Sequence, residues 1–88
     1  MFSLVCHLWR VKNPAGIKAF GVHLRKIREQ RGISQQELAD IANVSKLTVQ
    51  RTENAKYSVT LDVLLSFAHG LQIPLKELLD LDVPDELS

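Results

Sequence analysis

Several things are missing from this sequence, and each absence removes a class of function. There is one cysteine, Cys6, so no internal disulfide can form; a reducing, cytoplasmic setting is the simplest expectation. No apolar run approaches the roughly eighteen residues of a spanning helix, so no membrane partner is expected. The opening apolar stretch lacks the basic start and small-residue exit of a secretion signal. Cys6 and His7 adjoin, but no second Cys-His pair exists to complete a metal set. No nucleophile-base pair, fixed carboxylate pair or glycine-rich phosphate loop can be found, so neither an enzyme nor a bound cofactor is expected. At 88 residues the chain is expected to form one small domain, and no separate ligand-sensing domain is expected.

The net charge is only +1, but it is unevenly distributed. Residues 1–32 carry seven Lys/Arg against one acid, residues 33–56 carry three of each, and residues 57–88 carry one Lys against six acids. A basic front attracts phosphate, and an acidic end should point away from it.

The most informative stretch is Gln35 to Asn54, QQELADIANVSKLTVQRTEN. It reads as two short helices joined by a tight turn. The first, Gln35 to about Ala42, carries Leu38, Ile41 and Ala42 on one stripe with Ala39 beside them. Ser34 followed by Glu37 is a capping box. The turn is Asn43-Val44, where Asn tolerates the left-handed conformation that ends a helix sharply. Ser45 can cap the second helix, which runs to about Glu53. Helices this short are not stable alone and must cross closely, with Ala39 as the small contact and Val44 and Val49 filling the angle. The outward side of the second helix then shows Lys46, Leu47, Gln50 and Arg51. Lys and Arg donate to guanine edges, Gln pairs with adenine, and Leu touches a thymine methyl.

These residues resemble the helix-turn-helix of the phage-repressor and Cro-like family, the XRE family. The matching features are Ser34-Gln35, Leu38-Ala39, Asn43-Val44-Ser45, Val49, and Glu53-Asn54 followed by Lys56. The resemblance runs from about Ile17 to Leu79, roughly seventy per cent of the chain. It implies an all-α, compact five-helix bundle, lambda-repressor-like, with helices two and three forming the helix-turn-helix. It also implies that Arg28 pairs with Glu53, holding the end of the recognition helix; a planar guanidinium suits that better than Lys. Asn54 and Lys56 match positions where relatives touch phosphate, and Tyr57 can add a hydroxyl. Two departures stand out. Relatives commonly have Gly where Ala55 stands, so the turn is either strained or differently shaped. Relatives usually have an aliphatic residue at Thr52.

The remaining elements follow from pattern. A first helix is expected over Ile17 to Arg31, with Ile17, Phe20, Leu24 and Ile27 on its buried face and Gly32 as its stop. Arg25, Lys26 and Arg31 read as a solvated face, and His23 as surface. Thr60 can cap a fourth helix, Leu61 to about Gly70, whose inward face is read as Leu61, Leu64, Leu65, Ala68 and Leu71 with Phe67 at the edge. His69 sits near its negative pole. Pro74 opens a fifth helix, Leu75 to about Leu79 or Asp80. Leu75, Leu78, Leu79, Leu81 and Val83 offer more apolar surface than one short helix needs and are the expected dimer contact.

The chain thus divides into an extension (1–16), a helix-turn-helix domain (17–80) and an acidic tail (81–88). The extension, with its break at Asn13-Pro14-Ala15-Gly16, reads as a strand for a partner, a segment capping the core or a poorly ordered tail. The expected function is sequence-specific binding of double-stranded DNA by a homodimeric, repressor-like regulator on a palindromic operator. Lys46, Leu47, Gln50 and Arg51 are assigned to bases. Ser34, Gln35, Ser45, Asn54, Lys56 and Tyr57 are assigned to phosphate, which fixes register without reading sequence. Two related readings keep the DNA contact and add a role: an antitoxin that also clasps a toxin, and the controller of a restriction-modification operon. A third, a helical interaction module, makes Lys46 and Arg51 plain surface.

Overall fold

A computed structural model describes residues 14–82. Five helices follow one another: α1 (Pro14–Gln30), α2 (Gln35–Ala42), α3 (Lys46–Glu53), α4 (Leu61–Leu71) and α5 (Leu75–Leu78). No strand occurs among the described residues. The segments 1–13 and 83–88, and with them the expected contact at Val83, lie outside the described residues.

Local chemistry sets the helix starts. The Ser34 hydroxyl accepts from the Glu37 amide at 3.0 Å, and the Glu37 carboxylate accepts from the Ser34 amide at 2.9 Å, completing the capping box. Ser45 caps α3 through the Thr48 amide at 3.0 Å, and Thr60 caps α4 through Val63 at 3.3 Å. Helix α1 begins at Pro14, three residues before the expected start, so Pro14-Ala15-Gly16 is not a break. Proline lacks only an amide that the first turn leaves unused.

The helix ends share one design. One or two residues past the ends of α1, α2, α3 and α4 the chain is left-handed, at Gly32, Asn43, Ala55 and Gln72, with φ between 56° and 66°. In each case the next amide reaches back five residues, as Ile33 to Arg28, Val44 to Ala39, Lys56 to Arg51 and Ile73 to Ala68. The amide of each left-handed residue also reaches back three residues, and the two hydrogen bonds satisfy carbonyls that the helix cannot. Ala55 thus adopts the positive φ that a relative's glycine would take freely, at a cost of roughly 1 kcal/mol.

The core is Leu24, Leu38, Ala39, Ala42, Val49, Phe67, Ala68, Leu71 and Leu78. Helix α2 packs on α3 and α4, α1 on α3, and α5 on α4. Three expectations about facing are corrected. Phe67 is fully buried at the heart of the core, whereas Leu61 and Leu65 are 62% and 48% exposed. The stripe of α4 is therefore centred between Phe67 and Ala68, with Val63 and Leu64 half-buried. Ile41 is also exposed, because the inward side of α2 is set by Leu38, Ala39 and Ala42. Leu78, expected at a dimer contact, has no exposed surface and serves the core; Leu75 is half-buried against it. Leu79 is exposed and Leu81 half-buried.

Two glycines within helices make the close crossings possible, and neither was singled out from sequence. A Cβ on Gly70 would lie 2.8 Å from the Ala42 amide and Cα. A Cβ on Gly21 would lie 2.5 Å from the Thr52 carbonyl oxygen and 3.0 Å from that of Glu53. Gly70 therefore seats α4 on α2, and α4 runs through the glycine to Leu71, with Gln72 as its C-cap.

Candidate nucleic-acid interface

Helix α3 is too polar to be held by apolar packing alone. Its buried residues are Val49, Thr52 and Glu53. Val49 fills the angle between α2 and α3. Thr52 buries its methyl and donates its hydroxyl to the Thr48 carbonyl at 2.7 Å, so the departure from an aliphatic residue leaves no buried polar atom unpaired.

A polar network fixes the end of α3. The Nε of Arg28 donates to Oε2 of Glu53 at 2.7 Å, and its second terminal nitrogen donates to Oε1 at 3.1 Å. The remaining nitrogen of the fork donates to the Ile33 carbonyl at 2.9 Å. The side-chain amide of Gln35 donates to Oε1 at 3.0 Å. The Glu53 side chain has no exposure and that of Arg28 is 10% exposed, so the pair is buried and bidentate. Hydrogen bonding to Glu53 raises the Arg28 pKa above its ordinary value, against the lowering effect of burial; the charges of Glu53 and Glu29 add to the rise. Stability from a raised pKa is present below the unfolded value and lost above the folded one. Both lie above the pH range of folding studies, so Arg28 itself brings no pH dependence there.

With α3 held from behind, its front is open. Lys46, Leu47 and Arg51 are exposed and Gln50 is half-buried. They occupy positions i, i+1, i+4 and i+5, which form one continuous face of a helix. Leu47 is half exposed on a helix whose other apolar residue is fully buried. Beyond the helix, Asn54 and Lys56 are exposed and Tyr57 is half-buried. Ser34 and Ser45 are exposed at the N-termini of α2 and α3, where each already accepts one backbone amide. Ser45 also shares a hydrogen bond with the Thr48 hydroxyl at 2.8 Å. The base-assigned residues thus share the outer face of α3, and the phosphate-assigned residues lie at the ends of α2 and α3. Gln35 differs from the others, since its amide is engaged with Glu53. The leucines assigned to a dimer contact are not brought together: Leu78 is internal, and Leu81 lines a groove beside α1.

No group of three or more His, Cys, Asp or Glu side chains suited to a metal occurs among the described residues. No described helix is long and apolar enough to cross a membrane.

Comparison with known proteins bears on the same stretch. The family model described as Helix-turn-helix (HTH_3) matches residues 24–78. An HTH-type transcriptional regulatory protein of Methanocaldococcus jannaschii is 34% identical over 68 residues, which is 77% of this chain. The chain spans about a fifth of the length of the curated relatives it matches. Among solved structures, the restriction-modification controller protein C.AhdI from Aeromonas hydrophila superposes with a TM-score of 0.68 at 32% identity, covering 70% of this chain and 94% of that one. The clp gene regulator ClgR from Corynebacterium glutamicum superposes with a TM-score of 0.69 at 28% identity, over 77% of this chain and 72% of that one.

Proposed function

This chain belongs to the HTH_3 helix-turn-helix family, the phage-repressor and Cro-like group of DNA-binding regulators, and we propose that it reads a specific duplex sequence through α3. The observation that carries the reading is the division of α3 into two sides. The inner side is locked by Arg28, Glu53 and Gln35, and the outer side presents Lys46, Leu47, Gln50 and Arg51 with few internal obligations. A helix fixed in angle with free donors on its outer face suits the major groove. Ser34, Ser45, Asn54, Lys56 and Tyr57 hold phosphate and set register, joined by the free backbone amides at the start of α2. Gln35 contributes mainly by tying the start of α2 to Glu53. One such unit covers only a few base pairs. The chain therefore acts as a homodimer on a palindromic operator, with half-sites about one helical turn apart. Exposed Leu79, together with Leu61 and Leu65 on α4, supplies apolar surface for that association. Its role is transcriptional regulation of the repressor kind, exercised where the cell keeps its DNA.

Selection from a random duplex pool tests this directly. Wild-type protein should enrich a palindrome. A Lys46→Ala/Arg51→Ala variant should keep weak, salt-sensitive binding and lose the preference. Absence of enrichment, with affinity no tighter than about 10⁻⁴ M at physiological salt, would sink the reading. Sedimentation showing a monomer both free and on DNA would sink the dimer alone.

A second reading, control of a restriction-modification operon, is favoured by the near-complete coverage of C.AhdI, of which 94% is matched. It predicts that the enriched palindrome lies in the promoter region of a restriction-modification operon. An enriched site elsewhere removes it and leaves the DNA-binding proposal standing.

A further inference from the structure

Helix α1 has a second stripe that the core does not use. Ala15, Lys18, Ala19, Val22, His23 and Lys26 line an open groove, together with Leu81 and Asp82 of the chain that follows α5. These α1 positions fall at i, i+3, i+4, i+7, i+8 and i+11, a continuous strip along the helix. Val22 is 52% exposed, with Lys18 and Lys26 exposed one turn to either side. The Nε2 atom of His23 is buried and has no hydrogen-bond partner among the described residues. Most of the strip lies before residue 24, and Leu81 and Asp82 lie after residue 78, so the groove falls largely outside the stretch matched by the family model.

We propose that this groove is the docking site of the chain's own acidic segment 83–88, VPDELS. Charge selects this occupant, and the chain's course puts it within reach. The groove offers two lysines against one carboxylate, Asp82, around an apolar centre, and the segment offers Asp85 and Glu86 between Val83 and Leu87. The described chain reaches the groove at Ala15 on one side and at Leu81 and Asp82 on the other, so segments 83–88 and 1–13 are both tethered beside it and charge decides between them. Six extended residues reach about 20 Å. The strip from Ala15 to Lys26 is about 16 Å long. The tether keeps the effective concentration in the millimolar range, so weak ion pairs suffice. The competing occupant, segment 1–13, brings Arg10 and Lys12 and is mismatched in charge. Next to the groove, His23 and Arg31 face Glu77 and Asp80 across a smaller cleft.

The test uses the full chain with a nitroxide label on Ser88→Cys in a Cys6→Ser background, read by broadening of backbone amide resonances. At low salt the amides from Lys18 to Lys26 should broaden. At 1 M salt, where screening acts within about 3 Å, the broadening should fall at least twofold. Lys18→Glu/Lys26→Glu should produce the same fall with the amide pattern of the fold intact. Adding Asp85→Lys/Glu86→Lys to that variant should restore it. The proposal is overturned if charge reversal changes nothing, or if the swapped variant is not rescued. It is also overturned if broadening appears only between labelled and unlabelled molecules, which assigns the groove to a second copy. Broadening of the strip by a label on Ser3→Cys, with none from Ser88→Cys, would assign it to segment 1–13.

Discussion

Helix α4 crosses α2, and helix α3 crosses α1, by the same device: a glycine set against the partner's backbone. What surrounds the two glycines differs. Against Gly70 lie the Ala42 backbone and the Ile41 carbonyl, and the rest of the α2–α4 packing belongs to the apolar core of Leu38, Ala39, Ala42, Phe67, Ala68 and Leu71. Around Gly21 lie the Thr52 and Glu53 carbonyls, and beyond them the bonds of Arg28 and Gln35 to Glu53. Apolar packing supplies stability but tolerates small rotations. A bidentate ion pair tolerates few. The helix proposed to read bases is therefore the one fixed by directional bonds, and the helix beneath it is fixed by packing.

Breaking the polar side of this comparison should have the largest effect. Arg28→Ala leaves the Glu53 carboxylate buried without its partner, which costs about 3 kcal/mol. Thermal unfolding should shift down by more than about 10 °C. Arg28→Leu/Glu53→Leu removes both charges and should return to within about 1 kcal/mol of the parent, because desolvation offsets most of a buried pair's attraction. If orientation is what the pair supplies, the double variant keeps its fold and loses selectivity between the selected palindrome and a random duplex. A double variant that keeps full selectivity would show that packing orients α3 after all.

The glycines come next. Gly70→Ala and Gly21→Ala each push a methyl against backbone that cannot retreat freely, costing about 2 kcal/mol net. Their consequences should diverge. Gly70→Ala should lower the melting temperature and spare the affinity of the protein that remains folded. Gly21→Ala displaces the carbonyls at the end of α3, so it should also weaken site-specific binding at a temperature where both variants are folded. Equal affinities would mean that the two crossings are interchangeable.

How far the sequence announces this arrangement depends on the kind of interaction. Capping is local, so Ser34, Glu37, Asn43, Ser45 and Thr60 can be read from a few neighbours, and the structure has them in those roles. The Arg28–Glu53 pairing spans 25 residues and was suggested by family resemblance, not by spacing. Facing is harder. Leu61, Leu65 and Phe67 are similar in hydropathy, and rotating α4 by part of a turn exchanges which are buried. A glycine inside a helix reads as a stop, and only the partner helix reveals it as a contact. One signal was present: Gly21 lies three residues before Leu24 and four after Ile17, on the apolar stripe itself. Leu78 reads from sequence as a contact residue because surplus apolar residues on a short helix look free until the core that receives them is known.

A smaller effect should sharpen the comparison at the end of α3. Ala55 is left-handed with φ 59°, and so is Gln72 with φ 56° at the end of α4. Ala55→Gly relieves roughly 1 kcal/mol of backbone strain and returns part of it through a freer unfolded chain, for a net gain of about 0.5 kcal/mol. Gln72→Gly should gain a similar amount. If Ala55→Gly destabilises by chemical denaturation while Gln72→Gly stabilises, the strain at Ala55 is compensated by contacts specific to the α3 end.

The smallest change in stability concerns the residue after that turn. In the other three left-handed ends this position is Ile33, Val44 or Ile73, each half-buried against the core. After α3 it is Lys56, exposed, with its amide bonded to the Arg51 carbonyl at 2.8 Å. A hydrophobic residue there is what helix-end chemistry alone favours. Lys56→Ile should therefore leave stability unchanged within about 0.5 kcal/mol, since the site is a surface position. If Lys56 holds a phosphate, the same substitution weakens binding to every duplex alike and reduces the slope of log affinity against log salt by about 0.9. Selectivity between the palindrome and a random duplex should not change, because a phosphate contact reads no sequence. An unchanged salt slope would remove Lys56 from the interface. A changed selectivity would mean instead that the residue orients α3, and the end of that helix would then be specified by one more group than the Arg28–Glu53–Gln35 network.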